Sequence, residues 1–236
     1  MHKTIKSIKV MRIRYYLLLL IILSFSCSKD KVILLPEIEH SKITEVNDVS
    51  PAYLFYNKTK EDSVELNRKN LISTTNWLVN VDKRLTLKQA IPKIKFLQDK
   101  KRNAQMHKNE NAKNYFTCNN ISIKNLGFLE FTEIIYNLNE NDEIDYPINI
   151  EKTYTFIRVM NNDNIFLQST DNGDLLVNYD QLFKELNNYM VRSTTKRHIV
   201  LAFKKELSFQ DYISVKSELL KLKSDNISID NNEFIY

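Results

Sequence analysis

The sequence predicts an α+β fold, with small sheets that carry their helices on one face. Three observations lead there. Short apolar runs of strand length, WLVNV at 77–81 and IVLAF at 199–203, are each followed by a capped amphipathic segment of helix length. From residue 153 onward the elements read in the order β-β-α-β-α-β. A shift of 122 residues lays 77–103 on 199–225: Leu85, Ile91 and Leu97 meet Leu207, Ile213 and Leu219, and Lys83 and Lys101 meet Lys205 and Lys223. The strand, turn and helix boundaries agree across that shift, which points to two copies of one α+β unit.

Taken in order, residues 28–50 mix charges with the apolar patch 32–36 and read as a tether. Residues 52–56 form a strand, 57–62 a polar turn and 63–66 a short returning strand. After the strand at 77–81, Thr86 is an N-cap and Leu87, Ile91, Ile94 and Leu97 hold helical spacing. Pro92 costs about 3 kcal/mol inside a helix, so the helix is expected to kink or to start near Ala90. Residues 100–114 are polar and aperiodic and read as a solvated loop, its basic start Lys100, Lys101 and Arg102 being the positive last turn of a helix.

A strand follows at 115–123. The dense run Leu126, Phe128, Leu129, Phe131, Ile134, Ile135 and Leu138 reads as a short buried helix, and the acidic 139–145 as an exposed turn without the glycine of a calcium loop. Residues 153–160 and 165–169 make a hairpin, and Asp171-Asn172-Gly173-Asp174 is turn chemistry. Asn178 with Gln181 opens a helix bearing Leu182, Phe183, Leu186, Tyr189 and Met190. The all-apolar 199–203 is a strand buried on both faces. Ser208 with Asp211 caps the next helix, and 226–229 begins the last strand.

Residues 1–14 carry Lys3, Lys6, Lys9, Arg12 and Arg14 and no acid; the apolar run 15–23 that follows is far short of the about 20 residues that span a bilayer. This is the pattern of an export signal. The full chain has 34 Lys and Arg against 29 Asp and Glu, net +5. All five positive charges of 1–26 leave with the leader, so the remainder is formally neutral and a nucleic-acid partner is not expected. With glycine only at 127 and 173, no dinucleotide-binding, Walker or nucleophile-elbow motif exists.

Leu23-Ser24-Phe25-Ser26-Cys27-Ser28-Lys29-Asp30 resembles the lipobox of bacterial lipoproteins, in which the cysteine is lipidated and becomes the mature N-terminus. It departs from the usual pattern in having Ser24 where an aliphatic residue normally stands, and Ser24-x-Ser26 also fits an ordinary signal-peptidase site. The resemblance implies lipidation at Cys27, an anchor of more than one acyl chain, and a place in the bacterial envelope, on the periplasmic side or at the outer membrane. Cys118 then has no intrachain partner and reads as a small buried residue.

The hairpin TYTFIRVMNNDNIFLQ, the helix NYDQLFKELNNYM, the strand RHIVLAF and the helix SFQDYISVKSELLKL resemble, over 153–236, the periplasmic domain of ExbD/TolR-type biopolymer-transport proteins. That family has a transmembrane helix bearing an aspartate, which this chain lacks. The resemblance therefore implies a periplasmic binding domain without the motor function, and no site residue is carried over.

The expected layout is a signal peptide at 1–26, a lipidated Cys27 and tether to 50, an α+β unit at 51–124, a connecting helix and acidic loop at 125–150, and the ExbD/TolR-like unit at 151–236. His2, His40, His107 and His198 lack ligand neighbours at metal spacing, and Glu130, Glu133, Glu206 and Asp211 read as solvated or capping carboxylates. No catalytic residue, cofactor or metal is expected. The expected role is a lipid-anchored envelope binding protein, accessory to a transport or energy-transducing complex, with the membrane and a protein or peptidoglycan as partners. An envelope hydrolase with a site built from scattered residues, and a structural subunit of a surface assembly, are the alternatives.

Overall fold

Two central strands, Asn76–Val81 and Arg197–Phe203, each anchor a sheet, and the rest is built outward from them. The computed structural model describes residues 31–104, 109–139, 144–192, 196–222 and 226–236. Ile33–Tyr236 form one unit. Its first part holds β1 (Glu37–Ile38), β2 (Val49–Tyr56), β3 (Val64–Asn67), β4 (Asn76–Val81), α1 (Leu87–Arg102), β5 (Asn114–Asn120) and β6 (Asn125–Glu130). The second holds β7 (Ile135–Leu138), β8 (Thr153–Asn161), β9 (Asn164–Ser169), β10 (Gly173–Val177), α2 (Tyr179–Arg192), β11 (Arg197–Phe203), α3 (Phe209–Leu219) and β12 (Ile227–Ile235).

The fold is α+β, and its two sheets repeat one plan. In the first, β3 is antiparallel to β2, β2 parallel to β4 and β4 parallel to β5, with α1 as the crossover. In the second, β9 is antiparallel to β8, β8 parallel to β11 and β11 parallel to β12, with α3 as the crossover. Each sheet adds a parallel strand beside its last one, β1 on β5 and β7 on β12; the other additions differ, β6 lying antiparallel on β5 and β10 outside β9.

The copies meet at the starts of their crossover helices. Leu87 N donates to Leu207 O at 2.9 Å and Phe209 N to Leu85 O at 2.7 Å; Lys88 N reaches Lys205 O at 2.8 Å and Gln210 N reaches Lys83 O at 3.2 Å. Every one of these pairs maps onto its mate by the shift of 122, and Thr86 and Ser208 bridge at the centre. Both are N-caps with a capping box, Thr86 with Gln89 and Ser208 with Asp211. Behind this seam one apolar core serves both sheets. Phe116 stacks on Phe131 at 3.8 Å and meets Phe209 of the other copy edge-on at 5.2 Å.

Four segments differ from the sequence expectation. The tether is partly built into the fold: Pro36 and Ile38 are buried, and Asn119 N and Ile121 N donate to their carbonyls. The connecting helix is instead β6 and β7, because a dense apolar run has no period of its own and the tight 121–124 turn lets 125–130 pair back on β5. Gly173 and Asp174, read as turn residues, together with 175–177 form a third strand that begins at Gly173 with φ 74° and pairs along β9. Helix α1 starts at Leu87 with Pro92 inside it. Pro92 and Lys88, whose carbonyl loses its intrahelical partner, both lie on the exposed face where water can serve that oxygen.

Lys100, Lys101 and Arg102 do end that helix, but Lys101 is buried rather than solvated. The capping box at Asn178 and Gln181 is present, and Leu182 and Leu186 are buried; the side chains of Tyr189 and Met190 lie outside those described, as do Lys223, His107 and most of the acidic 139–145.

Gly127 marks where the incoming chain crosses the first sheet. A Cβ there would lie 2.9 Å from Ser41 Cβ and 3.1 Å from Ile38 Cδ1. Ser41 Oγ donates to the carbonyls of Ile43 and Phe128 and fixes the crossing. Gly127→Ala is expected to lower the unfolding free energy by about 1–3 kcal/mol, read by urea denaturation.

Candidate functional site

The residues singled out in the sequence do not converge. Cys27 lies outside the described residues. Cys118 is fully buried and burial pushes its thiol well up, the reverse of what a nucleophile needs. His198 Nδ1 pairs with Ser228 Oγ at 2.7 Å, and burial lowers its pKa. Glu130 pairs with Lys113, Asp211 caps α3, and Glu133 and Glu206 are exposed. Among the described residues no group of three His, Cys, Asp or Glu is placed to hold a metal, and no helix is long and apolar enough to cross a membrane.

The buried charges are nearly all matched within the chain. Lys101 Nζ donates to Thr75 O, Lys113 O and Asn114 Oδ1 and sits 5.0 Å over the Trp77 ring. Burial pushes its pKa down to about 8, which still leaves the ammonium charged at neutral pH. Glu233 accepts from Tyr212 Oη at 2.7 Å and pairs with Lys216, and Tyr136 joins through Tyr212. Arg197 reaches Thr155 and Ser169 with Nη1 and clasps Asp171 with both terminal nitrogens. These are struts, placed where each strand or helix would otherwise bury a polar group unpaired.

Arg158 differs. It lies on β8 between Phe166 of β9 and Ala202 of β11 in register, on the same face as Tyr154 and Phe156. This is the outer face of the second sheet, where Tyr154, Val200, Ala202, Phe234 and Tyr236 form a separate apolar cluster. Tyr146 roofs it, with ring centroids 5.7 Å from Tyr154 and Phe156, and is pinned by its hydroxyl to Asp230. Burial would raise the Asp230 carboxyl, but hydrogen bonds from Tyr146 and Asn232 hold it below the usual range. Beside this roof opens a hollow of about 270 Å³, bounded by Ile144, Ile148, Phe156, Arg158, Gln168 and Asp174.

Among the described residues Arg158 has no acceptor, and its Nε is fully buried. Asp174, on edge strand β10, likewise has no cationic partner there. A half-buried guanidinium is costly to leave unpaired, and its planar fork matches a carboxylate. The sequence carried one faint signal: Arg158 is the one charged residue of a strand otherwise made of aromatic, apolar and small polar residues. A larger cleft of about 380 Å³ beside β1 is lined by Glu37, Glu39, Asp180 and Glu218, but Lys83 and Lys221 already pair with two of these. The hollow at Arg158 is therefore the stronger candidate.

Neither a scan of protein-family models nor searches of curated proteins and of solved structures finds a match for this chain.

The Arg197–Asp171 clasp gives a pH test. Burial works to raise the Asp171 carboxyl, but the bonds from Arg197 and Ser169 hold it below the ordinary carboxylate range. A depressed folded pKa stabilises above the unfolded value and the gain is lost as pH falls through the folded one. Arg197→Met should cost about 2–3 kcal/mol at pH 7, moderated because Asp171 is one-third exposed. The stability gap between wild type and Asp171→Asn should shrink on acidification from pH 5 to pH 2, followed by denaturant melts.

Proposed function

We propose that this chain is a lipid-anchored binding protein of the bacterial envelope, held to the membrane through Cys27 and without a catalytic site of its own. It serves as an accessory to an envelope transport or energy-transducing complex, and its partner is a protein or a cell-wall component. The observation that carries the reading is the unpaired Arg158 in an open hollow next to β10, an edge strand with no further strand beside it among the described residues. An open edge of this kind offers main-chain donors and acceptors to an added strand, and Leu176 on β10 is 54% exposed beside it. The likeness of 15–30 to a lipobox-bearing leader supports the location. The repeated α+β plan is compatible with a scaffold that presents one surface and supports it from behind.

Metabolic labelling with palmitate tests the anchor. The wild-type chain should be labelled and sediment with membranes, and Cys27→Ala should lose the label and move to the soluble fraction. An unlabelled, membrane-free wild type would overturn the reading.

A further inference from the structure

We propose that the hollow at Arg158 binds a small zwitterion: an α-amino acid with an apolar side chain. This rests on the reading of that face as a binding surface, and names what it takes. Among the described residues two charges line the cavity, opposite in sign and not bonded to each other. Asp174 stands opposite Gln168 on β9, and Gln168 stands opposite Phe156 on β8. Arg158 lies two residues further along β8. Two strand spacings of about 4.8 Å and one repeat of about 6.7 Å thus separate the two backbones by about 12 Å. Backbones that far apart leave room, between a long arginine and a short aspartate that both border the hollow, for a carboxylate, one carbon and an ammonium.

The neighbours decide between ligand classes. An anion alone would pair with Arg158 but be repelled by Asp174, and a cation alone the reverse. A zwitterion satisfies both: its carboxylate takes the guanidinium fork, its ammonium takes the Asp174 carboxylate, and Gln168 between them offers both a donor and an acceptor. Ile144, Ile148 and Phe156 give the ligand's side chain an apolar wall. A volume of about 270 Å³ lies just below the usual range for drug-sized ligands and suits one of amino-acid size.

The test is calorimetric titration of the purified chain with leucine, N-acetyl-leucine and leucinamide. Leucine should bind, and each blocked analogue at least tenfold more weakly. Arg158→Gln should lose leucine and N-acetyl-leucine alike. Asp174→Asn, at an exposed position, should weaken leucine at least tenfold and leave N-acetyl-leucine unchanged, with the melting temperature held. N-acetyl-leucine binding wild type as tightly as leucine would reduce the site to an anion site and overturn the proposal; equal binding of leucinamide, or no heat from any of the three, would overturn it too. Failure here with palmitate labelling intact rejects the ligand alone, whereas loss of labelling rejects the envelope reading and leaves the titration standing.

Discussion

The fold depends on a reciprocal main-chain contact. Leu85 and Leu87 exchange hydrogen bonds with Leu207 and Phe209 in an antiparallel pairing one or two residues long on each side, centred on the two helix caps. The first N–H groups of a helix have no partner inside it, and at the buried end of a sheet water cannot serve them. Each copy of the unit supplies the other's missing acceptors. Four such bonds at roughly 1 kcal/mol each are a modest sum, but leaving the same groups dry would cost more. The two sheets are therefore joined by backbone, with the Phe116, Phe131 and Phe209 rings filling the space behind.

Against that shared frame the two copies have drifted in different ways. Each keeps a buried cation near the start of its central strand, Lys101 beside Trp77 in one and Arg197 in the other, and each cation is tied to several oxygens. The second copy alone carries the insertion of β10 and α2, and a separate segment roofed by Tyr146 over its outer face. Arg158 and Asp174, without charged partners among the described residues, belong to this elaborated face.

Much of the architecture was legible in the residues. The N-cap at Thr86, the capping pairs at Asn178 and Ser208, the hairpin at 153–169 and the unbroken apolar strand at 199–203 each have a local physical cause, and each appears as read. The shift of 122 was visible in a handful of side chains, and the structure places two of those pairs, Lys83 with Lys205 and Leu85 with Leu207, at the seam. What was not legible depended on distant partners. The run from Leu126 to Leu138 has no period to decide strand from helix until β5 and β12 are there to pair with it. Residues 33–43 look like a tether until Asn119 and Ile121 claim their carbonyls. The hollow was harder still, since Arg158, Gln168 and Asp174 sit on three strands and only register brings them to one face.

The crossing at Gly127 constrains the order of events during vectorial synthesis. Residues 36–43 are made early, yet their neighbours, Asn119 to Phe128, follow some eighty residues later, and Ser217, which holds the His40 carbonyl, comes nearly at the end. Until then, among the described residues, the stretch has only Lys83, which pairs with Glu37, to hold it. Residues 36–43 thus gain their full set of partners only after β5, β6 and α3 have been made.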